Sequence, residues 1–319
     1  MGADTGWIRL QLAKWHAPLA QDEGDLALFW RRIWCLRWDE QQYCVKLPRQ
    51  QEDMRAEADL LRGLHVAGYP VPQLHWHDED SGVLVMEWIE GPSLEDVLKQ
   101  PKSKEREAAL ESCIQGLAHV ERATRLVEEI MPLQEPTVPD THEFATSLMR
   151  LTRQIGPGID EVNLQAACQE IAEAICVEPR PTLGIVDILP RDVILGSDGA
   201  VFLDFWPIGW WWSEKRFCQY FARFQQDAGD RAYQSTCFLR HFLRSNAARL
   251  DAHYLWHDVG ALNAWQEIRN SPEETNLPRD VLDSLVSAAI TAAQERLTWH
   301  GASVGANEVR SMLCNCLSG

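Results

Sequence analysis

The chain has 319 residues, with 30 basic against 47 acidic side chains and a formal charge of −17 at pH 7. That balance excludes a basic nucleic-acid footprint, because nothing in it would release counterions from a phosphate backbone. At 45% apolar and 24% charged residues the composition is that of a globular protein, which excludes intrinsic disorder and suits one large domain or two lobes.

No run of about 18 apolar residues occurs, and MGADTGWIRL lacks the basic-then-apolar order of a secretory signal. A cytoplasmic protein with no transmembrane segment is expected. The nine cysteines are odd in number, scattered and free of any C-x-x-C pair, so reduced thiols acting mostly as small core hydrophobes are expected. Fourteen tryptophans imply either broad aromatic packing or a stacking surface.

In chain order, the stretch from Trp7 to about Leu47 has the aromatic and β-branched content of strands, with Asp39-Glu40 at a hairpin turn. The period then changes. Ala58, Leu60, Leu61 and Leu64 fall on one helical stripe, and Gly68 with Pro70 and Pro72 ends that helix. GVLVMEWI reads as a compact strand that stops at Glu90-Gly91-Pro92, and Ser93 with Asp96 opens a helix. Residues 94–130 and 142–177 are helical in pattern, separated by the three prolines of MPLQEPTVP. Strand signals return in TLGIVDIL, VILG and AVFLDFW, with a turn at Ser197-Asp198-Gly199, and residues 214–250 and 277–298 are again amphipathic helices. The expected class is α+β, a small β-rich lobe with one helix and a large, mostly helical lobe.

Four charged residues interrupt apolar surroundings: Lys46 closes YCVKL, Glu57 sits in the first turns of the following helix, Asp187 interrupts LGIVDIL and Asp204 interrupts AVFLDFW. A charge within a buried strand costs several kcal/mol unless it is paired, so each needs a partner or a ligand. A strand lysine facing a helix glutamate can hold a phosphate. Two aspartates near short strands, with Asp192 between them, offer hard oxygen ligands for Mg2+ and one base for a hydroxyl. Together these describe phosphoryl transfer.

The segments KLPR, RAEADLLRGLHVAGYPVPQL, VLVMEWIEGPSL, IVDILPRDVIL and GAVFLDFW resemble the aminoglycoside phosphotransferase and choline kinase group of the protein-kinase-like superfamily, over roughly residues 40–98 and 182–208. A weaker likeness, in KRFCQYFARFQQD and YQSTCFLRHFL, is to lipopolysaccharide core kinases. The resemblance implies a bilobal fold, with a nucleotide lobe over residues 1–90 and a helical lobe over 91–319. The second lobe would contain an acceptor-site insertion at 94–180 and a catalytic hairpin at 182–208. It implies ATP and Mg2+ as cofactors and a small-molecule or saccharide acceptor. Lys46 would hold the α- and β-phosphates, Glu57 would orient Lys46, Asp187 would be the base, and Asp192 and Asp204 would hold Mg2+. Met86 would lie behind the adenine, with the backbone of Glu87 and Ile89 on its edge.

Three departures from the group's pattern are visible. Ile185 and Val186 stand where His and Gly are usual, Asp192 replaces a metal-binding Asn, and Gly24 is the one glycine in GDLALFWRRIW before Lys46. The alternative is therefore a catalytically degenerate pseudokinase that binds nucleotide or acts as a scaffold. Trp206 and the run Trp210–Trp212 suit core packing or a lobe contact, the alternative being an acceptor-stacking platform or a membrane anchor. His75 and His77 suit a solvated turn, and Cys314 and Cys316 lie where fraying is the default. The acidic balance would suit a cationic acceptor, although net charge belongs to the whole surface.

Overall fold

The structure is a computed structural model that describes residues 5–17, 19, 24–30, 32–47, 51–130, 139–177, 181–185, 188–204, 208–270 and 278–317. The chain divides into two compact units, residues 1–134 with 183–209 and residues 135–182 with 210–319. This division keeps the hairpin and three helices after residue 90 with the N-terminal sheet, whereas a boundary at 90/91 would separate them.

The first unit begins with helix α1 (Thr5–Trp15), where strands are expected from the aromatic content. The helical period decides the matter. Ile8, Gln11 and Leu12 fall at i, i+3 and i+4 and are the buried face of α1, packed in the core formed by Leu36, Tyr43, Val45 and Val85 of the sheet. That sheet has five strands, β1 (Asp25–Trp30), β2 (Ile33–Trp38), β3 (Gln41–Lys46), β4 (Leu74–His77) and β5 (Leu84–Glu87), in the order β1-β2-β3-β5-β4. The expected turn at Asp39-Glu40 is present, with both residues at positive φ, and connects β2 to β3 in a two-residue hairpin. Strand β4 carries His75 and His77, which the turn-like composition of LHWHDED conceals.

Helix α2 (Gln51–Val66) buries the expected stripe of Ala58, Leu60, Leu61 and Leu64 completely. The helical pattern of 94–130 resolves into α3 (Leu94–Leu98), α4 (Lys104–Arg122) and α5 (Thr124–Ile130). Pro101 lies in the break between α3 and α4, and the Ser93 and Ser103 hydroxyls cap the two helices by accepting from the amides of Asp96 and Arg106. Strands β6 (Thr182–Ile185), β7 (Val193–Gly196), β8 (Gly199–Phe202) and β9 (Ile208–Trp211) make two ribbons, β6 with β9 and β7 with β8. β9 is a strand, an element that the tryptophan run does not announce in the sequence.

The second unit is helical: α6 (Thr141–Ile155), α7 (Glu161–Cys176), α8 (Ser213–Phe221), α9 (Ala228–His241), α10 (Ala247–Asn270), α11 (Arg279–Leu297) and α12 (Val304–Leu317). Gly156-Pro157 splits the expected 142–177 helix, because proline cannot continue the hydrogen-bond ladder. The core is built from the apolar stripes of α6, α7, α10, α11 and α12, among them Leu148, Ile171, Leu255, Val286 and Leu313. Cys314 and Cys316 belong to α12 and are not frayed ends, since Val309 and Leu313 anchor that helix. All nine cysteines are free thiols, and no described helix is long and apolar enough to cross a membrane.

Candidate functional site

The candidate site lies wholly in the first unit. Lys46 ends β3, and Glu57 shares the buried stripe of α2 with Leu61 and Leu64, so a carboxylate is carried toward the sheet where apolar side chains otherwise sit. The Lys46 ammonium donates to Glu57 Oε1 at 2.5 Å and to Asp204 Oδ1 at 2.9 Å, the second partner being 158 residues away in sequence. Glu57 is 1% exposed, Lys46 14% and Asp204 28%, so the cluster opens toward solvent on the Asp204 side. Burial alone would lower the lysine pKa, but the two carboxylates outweigh it and hold the ammonium well above its ordinary range. Lys46 is therefore a fixed cation.

Backbone hydrogen bonds bring the hairpin to this cluster. The amide of Leu195 in β7 donates to the Pro92 carbonyl, Ser93 bridges Ile194, Phe202 of β8 donates to the Pro70 carbonyl, and the Ala200 amide donates to the Ser112 hydroxyl. Gly91, at φ +147°, is indispensable here. A Cβ on it would lie 2.1 Å from the Leu195 carbonyl oxygen. Gly91 and Ser112 are the positioning residues that the sequence reading misses. The Gly-Pro pair closing the β5 segment was the available signal for the first, and nothing in the sequence marked the second.

Asp192 lies in a short 3-10 turn before β7, and its carbonyl accepts the Leu203 amide at 2.8 Å, which sets it beside Asp204. Its pKa is pushed up to about 6, chiefly by burial and then by the Asp204 carboxylate, with Arg191 and Lys46 opposing. Two adjacent carboxylates are a donor set that fits Mg2+, which takes one or two protein carboxylates and fills the remaining positions with phosphate oxygens and water. Among the described residues no group of three or more His, Cys, Asp or Glu side chains could hold a metal ion. Asp187 and Val186, like Trp206, lie outside the described residues.

Met86 is buried in β5 opposite Cys44 and is the side chain behind which a planar base would be sought. The Glu87 amide is engaged with the Gln73 carbonyl at 2.8 Å, so what its backbone can offer a ligand is its carbonyl. Ile89 is half-buried at the end of this segment, near Gly196 of β7. β1 and β2 remain paired up to Trp30 and Ile33, and the sequence between them contains no glycine, where the resembled group has a glycine-rich loop.

Residues 30–142 match the profile of the phosphotransferase enzyme family. No curated protein matches the chain at the sequence level. Among solved structures, a candidate aminoglycoside phosphotransferase from Ralstonia eutropha has a TM-score of 0.61 at 11% identity, over 97% of this chain and 98% of its own. A choline kinase from Streptococcus pneumoniae gives 0.52 at 13% identity, over 90% and 97%. An ADP-bound aminoglycoside phosphotransferase gives 0.50 at 14% identity, over 92% and 99%. Identities this low speak for the fold alone. Residues 30–142 thus carry the pattern of the phosphotransferase enzyme family, and the chain has the protein-kinase-like fold found in aminoglycoside phosphotransferases and choline kinases.

Proposed function

We propose that the protein is an ATP- and Mg2+-dependent phosphotransferase that moves the γ-phosphate to a hydroxyl of a small molecule or saccharide. The observation that carries this reading is the Lys46 ammonium held between Glu57 and Asp204 with Asp192 alongside. Glu57 orients Lys46, and Lys46 meets the α- and β-phosphate oxygens as a fixed point charge. Asp192 and Asp204 hold Mg2+, which when bound neutralises the charge of the triphosphate. Asp187 takes or positions the hydroxyl proton of the acceptor. Met86 packs behind the adenine, while the Glu87 carbonyl and the Ile89 backbone read its edge. The nine free cysteines suit a reducing compartment such as the cytoplasm.

The absence of glycine from the sequence between β1 and β2 supports a second reading, a nucleotide-binding protein without transfer, because glycine is what lets a backbone close over phosphates. One experiment separates the two. Thermal unfolding is measured with ADP, with and without Mg2+, and ATP consumption is then followed across a panel of hydroxyl acceptors. A Mg2+-dependent rise in Tm together with acceptor-dependent turnover that Asp187→Ala abolishes is the expected result. A rise in Tm with no turnover on any acceptor selects the second reading, and no rise with either nucleotide form sinks both.

A further inference from the structure

Lys215 stands in the first turn of α8, with its ammonium 4.1 Å from the ring centroid of Trp211 and 4.6 Å from that of Trp256. For a cation this is an uncompensated position on three counts. Among the described residues no carboxylate lies within ion-pair distance of it, although the chain carries 47 acidic side chains. Its neighbour Glu214 is bound by Arg249 at 2.8 Å. The N-terminal end of a helix is already positive, and no side chain caps this one. Burial depresses the lysine pKa with no opposing charge to restore it. The indole faces offset part of this through cation–π attraction.

The surroundings add a buried indole donor and, in His253, a neutral ring with one donor and one acceptor nitrogen. The Trp212 ring lies 6.0 Å from that of Trp256, and its buried indole N–H has no hydrogen-bond partner. The His253 ring is 5.8 Å from Trp256, and both its nitrogens lack a hydrogen-bond partner. An incoming negative charge would relieve all three penalties on Lys215 at once, and Trp211, Lys215 and Trp256 are each only partly buried.

We propose that Trp211, Lys215 and Trp256 form a binding site for the oxyanion of a small molecule, a carboxylate or a phosphate, whose planar or apolar remainder lies against the two indoles. A quaternary ammonium, which two bare indole faces would attract, is turned away because the ammonium of the chain itself occupies them. None of these side chains takes part in the Lys46 cluster, so the site is tested without turnover.

Tryptophan fluorescence of the full chain is titrated with benzoate, with inorganic phosphate and with choline, all in the presence of ADP and Mg2+. Saturable quenching by at least one anion is expected. Benzoate alone marks a carboxylate ligand and phosphate alone a phosphate ligand. Lys215→Met is expected to weaken anion binding at least tenfold and to gain choline binding, while Lys215→Arg stays within threefold of the natural chain. The rise in Tm with nucleotide is expected to be the same in all three proteins, so the phosphotransfer reading is judged on a separate signal. The site is overturned if neither anion saturates, if Lys215→Met binds anions as tightly as the natural chain, or if choline saturates the natural protein.

Discussion

The two units use buried charge in opposite ways. In the helical unit, Arg310 grips Asp251 through two hydrogen bonds of 2.7 and 3.0 Å, Arg249 meets Glu214 at 2.8 Å, and Asp258 is held by Arg231 at 2.8 Å and Arg296 at 2.7 Å. Despite full burial, those arginines keep the Asp258 carboxyl well below the usual range. Each of these three carboxylates is matched by at least one guanidinium. In the sheet-bearing unit one ammonium is shared between the Glu57 and Asp204 carboxylates, and Asp192 beside them has its pKa raised, chiefly by burial and then by Asp204. A closed pair stabilises a fold, whereas a cluster left short of positive charge is prepared to take a cation from outside.

The largest effect expected from this contrast is on turnover. Lys46→Ala or Asp204→Ala should lower phosphotransfer by about a thousandfold or more, since on the proposed reading the first loses the cation that meets the α- and β-phosphates and the second a Mg2+ ligand. Thermal unfolding should show Asp204→Ala folded with little loss of Tm, whereas Lys46→Ala also strands the buried Glu57 carboxylate and should melt lower. Breaking a closed pair should do the reverse. Asp251→Ala strands the fully buried Arg310 and should destabilise the protein by about 3–5 kcal/mol, a fall in Tm on the order of 10 °C, with turnover per folded molecule retained. If Asp204→Ala unfolded the chain and Asp251→Ala silenced a stable one, the two kinds of cluster would have been assigned the wrong way round.

Much of this arrangement is legible in the sequence, and what is not has physical causes. Lys46 and Glu57 are readable because a charge on an otherwise apolar strand end and another on an apolar helix stripe both demand partners. That Lys46 is shared with Asp204 depends on chain reversals across 158 residues, which no local pattern encodes. Helix α1 is obscured because Trp7, Ile8 and Trp15 have the composition of a strand, while the decisive signal is the i, i+3, i+4 spacing of Ile8, Gln11 and Leu12. β4 is four residues long and largely part-exposed, so its alternation is too brief to register. The counterions of the helical unit, such as Arg249 for Glu214, come from different helices whose pairing the stripes leave open.

A smaller effect sharpens the comparison within the cluster itself. Asp192 has a folded pKa of about 6 against an ordinary value near 3.8, so the folded state binds the proton more tightly than the unfolded chain. Its contribution to stability is fully present below about pH 4 and is lost as pH rises through 6. Asp192→Asn, which cannot ionise, should therefore raise the stability of the metal-free protein at pH 7.5 by about 1–3 kcal/mol and leave it unchanged near pH 4. Adding Mg2+ should erase much of the advantage, because only the aspartate regains a full countercharge. Urea unfolding at the two pH values, with and without Mg2+, checks the sign. A variant less stable at pH 7.5 without metal would show that Asp192 is already compensated.

The smallest expected effect concerns the two hairpin turns of the same unit. The β7–β8 turn supplies glycine at Gly199, with φ +121°, whereas the β2–β3 turn places Asp39 and Glu40 at φ 52° and 62° with side chains that favour negative φ. A two-residue hairpin loop of this hand needs positive φ at both positions, and glycine adopts it without steric penalty. Glu40→Gly should stabilise the protein by about 0.5–1 kcal/mol, the relief of left-handed strain less the added entropy of the unfolded chain. Because the substitution also removes one negative charge from a chain at −17, Glu40→Gln isolates the charge effect, and Glu40→Ala retains the steric penalty. A higher urea midpoint in the glycine variant than in both controls, at unchanged m-value, assigns the gain to the backbone. Equal midpoints for glycine and glutamine would assign it to charge, and the strain argument for this turn would fail.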